Sequence, residues 1–180
     1  MFVQTEITPN PNSLKFFPGK KVSNDTPIEI TDKNFTENEL IKNILSIDGV
    51  TGIFLSDDFL SVNKEKHIKW EDLKHIIISL INDFYANGAE LIIDKNNVKK
   101  ISESFSEIEK KIINILETKV RPAVAKDGGD IKFKEFKNGV VTVNLQGSCS
   151  GCPSSTMTLK QGVQNLLCHY IPEIKEVIAV

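Results

Sequence analysis

The chain is poor in the residues that mark several common classes of function. A single arginine, Arg121, stands among 180 residues, and arginine is the usual reader of guanine edges. The remaining charge is not gathered: residues 1–105 carry 12 basic and 16 acidic side chains, and residues 106–180 carry 10 and 8. Holding nucleic acid by neutralising phosphates needs clustered lysine and arginine, so no nucleic-acid partner is expected. Long apolar runs are missing too. Ile76 to Ile81, interrupted by Ser79, is the longest, well short of the about 18 residues that cross a bilayer, so no membrane partner is expected. No basic-then-apolar leader is visible, because the alternating stretch Phe2 to Ile7 follows Met1 directly. The expectation is therefore a bacterial cytoplasm, with the mitochondrial matrix less favoured. Cysteine is scarce: three in all, two of them three positions apart. That pattern excludes a secreted disulfide framework and raises metal or redox chemistry instead.

What is present is ordinary globular material. Hydrophobic residues at 40% and charged residues at 26% support a buried core. The order of elements predicts an α+β protein of two small domains, an N-terminal one over residues 1–88 and a C-terminal one over residues 106–180, joined by a polar linker at 89–105. The first is expected to hold a mixed sheet with two helices. Phe2 to Thr8 and Leu14 to Phe17 read as strands around the Pro9-Asn10-Pro11-Asn12 turn. Thr36 and Glu39 suggest a capping box before a stripe of Leu40, Ile41, Ile44 and Leu45, with Gly49 suited to the helix C-terminus. Val50 to Leu55 and Phe59 to Val62 form a hairpin around Ser56-Asp57-Asp58. A helix from Trp70 to Asn87-Gly88 presents Leu73, Ile77, Leu80 and Phe84. Ile78 and Ile81, off that stripe, are assigned to packing under a neighbouring element.

The second domain reads helix, strand, strand, helix, strand. Ser106 and Glu109 make a capping box, and Ile108, Ile112, Ile115 and Val120 mark a buried face that Pro122 should kink or end. Asp127-Gly128-Gly129-Asp130 reads as a turn holding this helix against the sheet. Asn138-Gly139 is a strong hairpin signal between Ile131 to Phe136 and Val140 to Leu145. Leu159, Val163, Leu166 and Tyr170 mark the last helix, and Glu176 to Val180 the last strand.

The chemistry concentrates in Gly147-Ser148-Cys149-Ser150-Gly151-Cys152-Pro153, a loop between strand and helix. Pro153 suits the first helical position, which makes Cys152 the expected cap. The positive end of the helix dipole stabilises thiolate there, the form a metal requires. Ser154, Ser155 and Thr156 are candidate hydrogen-bond donors to the sulfurs. Two thiolates complete neither a zinc site nor an ordinary iron-sulfur cluster, each of which takes four ligands. Cys168 lies about 24 Å along the same helix from Cys152, too far to help, and is expected as a surface or interdomain thiol. His67, His75 and His169 offer no better completion. A two-fold dimer brings two copies of the loop together and supplies four sulfurs. Two rival chemistries share the spacing: a thiol-disulfide oxidoreductase using the Cys149/Cys152 dithiol, and a zinc ion bridging two copies.

Two separate signatures resemble the Nfu family of iron-sulfur carriers. Thr8-Pro9-Asn10-Pro11-Asn12-Ser13-Leu14-Lys15-Phe16 and Ile47-Asp48-Gly49-Val50 look like its N-terminal domain. Arg121-Pro122, Asp127-Gly128-Gly129-Asp130, the cysteine loop through Ser155, and Tyr170-Ile171-Pro172-Glu173 look like its NifU-type C-terminal domain. The resemblance implies a 4Fe-4S cluster held by Cys149 and Cys152 from each chain of a homodimer. It further implies a carrier without catalytic turnover that receives the cluster from an upstream donor and delivers it to apo iron-sulfur proteins. Cys168 lies outside the shared signature.

Overall fold

Pro9 and Pro11 lack backbone donors, so the turn that carries them is held from its side chains. The Thr8 hydroxyl donates to the Asn10 carbonyl (2.9 Å), and Asn10 Oδ1 accepts from the Asn12 amide (2.9 Å). This closes a hairpin between β1 (Gln4–Ile7) and β2 (Ser13–Phe17). In this computed structural model the described residues are 2–23, 27–91 and 105–180, with the exception of Cys152 and the side chains of residues 153–155. The chain divides into two compact units, Met1–Asn96 and Asn97–Val180.

The first unit adds β3 (Ile28–Ile30), α1 (Glu39–Leu45), β4 (Val50–Leu55), β5 (Leu60–Lys64) and α2 (Trp70–Ala86). Its sheet runs β1-β2-β5-β4-β3 and is antiparallel throughout where a mixed sheet was expected, because tight turns join β1 to β2 and β4 to β5. Alternation sends Leu14, Phe16, Ile53, Leu55, Leu60 and Val62 into one core with the apolar faces of α1 and α2. The α1 cap differs from the expected box. Lys33–Phe35 form a 3-10 turn that leaves Thr36 extended, and Asn38 takes the cap, its Oδ1 accepting from the Ile41 amide at 3.2 Å. Gly49 stands beyond the helix end, at φ 83°, where the chain turns into β4. On α2 the buried positions are Leu73, Ile77, Ile81 and Tyr85, one residue on from the expected Leu80 and Phe84, which are only partly buried. Leu91, within the expected linker, is fully buried in this core. Residues 92–104 of that linker lie outside the described residues.

In the second unit Phe105 meets Phe133 edge-on at 5.8 Å, and Ser106 and Glu109 form the expected capping box before α3 (Glu107–Ile115). Pro122 neither ends nor visibly breaks the helical path. Leu116–Val120 widen into a π-helical turn, and α4 (Arg121–Lys126) begins with the proline in its first turn, where its missing donor is tolerated. The chain then forms β6 (Gly129–Lys137), β7 (Val140–Gly147), α5 (Pro153–Tyr170) and β8 (Glu176–Ala179). Asn138 and Gly139 take positive φ (54° and 83°), as a two-residue hairpin demands. β7 pairs antiparallel with β6 and parallel with β8, so among the described residues parallel pairing lies here, where α5 makes the crossover. Val141, Val143 and Leu145 pack with Ile112, Leu116, Val163, Leu167 and Ile171. Tyr170, expected on that face, is instead half exposed, because the buried stripe of α5 runs through Leu167 and Ile171.

Candidate metal centre

β7 carries the chain to Gly147, whose positive φ (65°) turns it away from the sheet. Two tethers then bind the loop to the Asp127–Asp130 turn. The Ser148 amide donates to the Gly128 carbonyl (3.1 Å), and the Ser148 hydroxyl donates to the Asp127 carbonyl. Within the loop, the amide and hydroxyl of Ser150 both donate to the Gly147 carbonyl (3.1 and 2.8 Å). Thr156, from the first turns of α5, gives its hydroxyl to the carbonyl of Cys149 (3.1 Å). It holds the loop backbone and not, as expected, the sulfur.

Cys149 is 6% exposed and belongs to the same buried cluster as Ile131, Leu145 and Val163. Burial pushes its thiol up to about 11; the charge of Asp127 adds to the rise, a hydrogen bond with Ser148 opposes it, and Asp130 contributes a smaller increase. At this cysteine desolvation is the leading cause, whereas the helix-end expectation concerned the cap position, Cys152. The sulfur rests against Gly129, the first residue of β6. A β-carbon built there overlaps Sγ, and it would also stand 2.9 Å from the Gln146 carbonyl oxygen.

Beneath the turn, Arg121 grips Asp130 with both ends of its guanidinium, Nε to Oδ1 at 2.8 Å and Nη2 to Oδ2 at 3.1 Å. Asp130 keeps only 3% of its side chain exposed, and its hydrogen bond, outweighing desolvation, raises the Arg121 pKa further. Arg121 and the Asp127–Asp130 turn therefore form the floor of the cysteine loop. Sequence reasoning assigned that turn to holding a helix against the sheet. The contact of Gly129 with a sulfur 20 positions away was not anticipated, and the adjacent glycine pair was its only local signal.

Cys152, and the side chains of Ser154 and Ser155, lie outside the described residues. Among the described residues no group of three or more histidine, cysteine, aspartate or glutamate side chains could hold a metal ion. Cys168 is half-buried and packs against the second core, and its thiol donates to the Ile174 carbonyl (3.2 Å), so it is not a surface thiol. His67, His75 and His169 are exposed. His67 lies 3.3 Å from Glu65, and His169 stacks edge-on with Tyr170.

Both units match known family models: the scaffold protein Nfu/NifU N-terminal model over residues 3–88, and the NifU-like domain model over residues 112–178. The chain is 43% identical over 189 residues to the mitochondrial NifU-like protein 4 of Arabidopsis thaliana, an alignment covering 98% of this chain and 65% of that protein. It is 42% identical over 180 residues to the human mitochondrial NFU1 iron-sulfur cluster scaffold homolog, covering 98% and 71%. The chain thus spans just under two thirds of the plant relative. A solution structure of a NifU-like protein from Saccharomyces cerevisiae aligns at a TM-score of 0.47 and 29% identity, covering 53% of this chain and 87% of that one. The expected bacterial cytoplasm is corrected by these relatives, which are mitochondrial by name; a strand beside Met1 does not distinguish the two compartments. With both units matched and the likeness running nearly end to end, the chain belongs to the NifU-like family of iron-sulfur cluster scaffold proteins.

Proposed function

We propose that this chain carries a 4Fe-4S cluster between two copies of itself, bound by Cys149 and Cys152 of each, and passes it to apo iron-sulfur proteins. One observation carries the reading: a loop with two cysteines supplies half of the four ligands such a cluster takes, and Cys168 is committed to the core of its own unit. The names of the relatives support iron-sulfur scaffolding and a mitochondrial setting. In this reading residues 106–180 hold the cargo, residues 89–105 connect, and residues 1–88 engage donors or recipients. A cluster held at the edge of a subunit pair, by ligands that two chains must share, is easily opened, which suits delivery better than permanent electron transfer.

The dithiol oxidoreductase reading is disfavoured by the topology: a β6–β7 hairpin, not a βαβ unit, leads into the cysteine loop. Anaerobic reconstitution with iron and sulfide separates the readings. The carrier predicts a brown product with about two irons per chain, lost on Cys149→Ala or Cys152→Ala. A colourless monomer that reduces insulin disulfides would establish the rival.

A further inference from the structure

The strand β6 opens on a glycine that its backbone does not require. Gly128 (φ 79°) and Gly147 (φ 65°) occupy the left-handed region that side chains resist, but Gly129, paired across the sheet with Gly147, does not. Glycine within a strand costs conformational entropy and contributes no packing, so its place there calls for a close approach by something else. Two groups make that approach. A β-carbon on Gly129 would overlap the Cys149 Sγ and approach the Cys149 Cβ to 3.1 Å, and it would stand 2.9 Å from the Gln146 carbonyl oxygen.

We infer that Gly129 is the positioning residue for the Cys149 sulfur, its missing side chain forming a seat from which the sulfur must be withdrawn to bind iron. The inference rests on the reading of Cys149 as a cluster ligand. Its geometry is simple. A seated sulfur faces Gly129 and the core of its own unit, with 6% of the residue exposed. A sulfur shared with a second chain must face outward, where an iron and that iron's other ligands have room. Seating and iron binding therefore exclude one another. Ser148, tied to Asp127 and Gly128, and Thr156, on the Cys149 carbonyl, hold the backbone on both sides, so the exchange falls on the Cys149 side chain.

Loading is then a ligand exchange without electron transfer. The Cys149 S–H bond breaks and an S–Fe bond forms, while the donor's thiolate leaves the same iron and takes up the proton. Delivery runs the exchange backward, and the seat receives the returning sulfur. Because the seat competes with iron, it weakens the hold on cargo by the inverse of the unseated fraction. A carrier gains easy release from this, and a permanent electron carrier would not.

Thiol labelling tests the seat without any cluster. In the full chain bearing Cys152→Ser and Cys168→Ser, Cys149 is the single thiol, and its rate of reaction with N-ethylmaleimide is followed by mass spectrometry at fixed pH. The folded chain is expected to label at least tenfold more slowly than the same chain in urea. Adding Gly129→Ala should raise the folded rate at least tenfold, with circular dichroism unchanged. A rate within twofold of the parent, in a folded Gly129→Ala chain, overturns the inference. If Gly129→Ala lowers the melting temperature, Cys149→Ala should relieve the part of that loss due to the sulfur, the Gln146 carbonyl contact remaining, and an undiminished loss overturns the inference as well. Iron uptake is a separate readout. A chain that takes up no iron refutes the carrier reading, whereas the labelling rates alone decide the seat. In a chain that does load, Gly129→Ala should slow iron loss to a chelator at least threefold.

Discussion

Arg121→Ala removes the partner of a carboxylate that is almost wholly buried. Asp130 exposes 3% of its side chain and receives both guanidinium contacts, at 2.8 and 3.1 Å. Stranding a buried charge costs about 3–5 kcal/mol, because the carboxylate keeps its desolvation penalty and loses what offset it. For a unit of this size each kcal/mol moves the melting temperature by about 4–8 °C, so the C-terminal unit should melt at least 12 °C lower. Arg121→Lys should recover less than half of the loss, since a lysine ammonium cannot span both carboxylate oxygens. The assay uses the single tryptophan, Trp70, which lies in the first unit and donates its indole N–H to the Pro11 carbonyl. Its fluorescence transition reports the first unit, and far-ultraviolet circular dichroism reports both, so the shifted component is assignable. The double variant Arg121→Ala/Asp130→Ala should be more stable than Arg121→Ala alone. A loss below about 1 kcal/mol in Arg121→Ala would refute the buried-pair reasoning.

Cys149, pushed up to about 11 by burial, keeps its proton in the folded chain at pH values where an unfolded thiol, with a pKa of about 8.5, has lost it. The folded state then binds more protons than the unfolded one, so stability is full below about pH 8.5 and falls as pH rises toward 11. Urea titrations across that range should show the decline in the C-terminal unit, and Cys149→Ala should flatten it. Ile81→Ala, at a fully buried position of α2, should cost the first unit about 2–5 kcal/mol in urea denaturation, while Leu80→Ala costs less. Ser106→Ala removes the hydroxyl that accepts from the Glu109 amide and leaves the Ser106 amide on the Glu109 carboxylate; it should destabilise α3 by about 1 kcal/mol, read as faster amide exchange in its first turn.

Where local chemistry dictates structure, the sequence was legible. Asn138-Gly139, the Ser106 and Glu109 box and the β4 to β5 turn follow from turn and cap preferences acting over four or fewer residues, and the span of α2 from its apolar spacing and the Asn87-Gly88 end. β3 went unread because Ile28–Ile30 is too short for a pattern of its own and exists by pairing with β4. Leu73, Ile77 and Val163 are buried as expected, but the later halves of the α2 and α5 stripes were read one position early, since Leu80 beside Ile81 and Leu166 beside Leu167 are equally apolar and only the packed core chooses between them. Thr36 offered a better cap on paper than Asn38, but the 3-10 turn before it spends that hydroxyl on the Asn38 amide.

The same division runs through the site. Cysteine spacing, the flanking glycines and Pro153 pointed to the loop at once, because ligand chemistry is local in sequence. The burial of Cys149 was not legible: this thiol lies in the core beside Asp127, whereas the helix-end argument concerned the cap position, Cys152. Arg121 and Gly129 acquire their roles through contacts across 9 and 20 positions, which no local pattern encodes.

Native mass spectrometry of the anaerobically loaded full chain tests the central claim most directly. A complex of two chains bearing one four-iron, four-sulfide core, absent when either Cys149 or Cys152 is replaced by alanine, is the predicted result. A single chain with a complete metal centre, or a pair that keeps its iron without both cysteines, would contradict it.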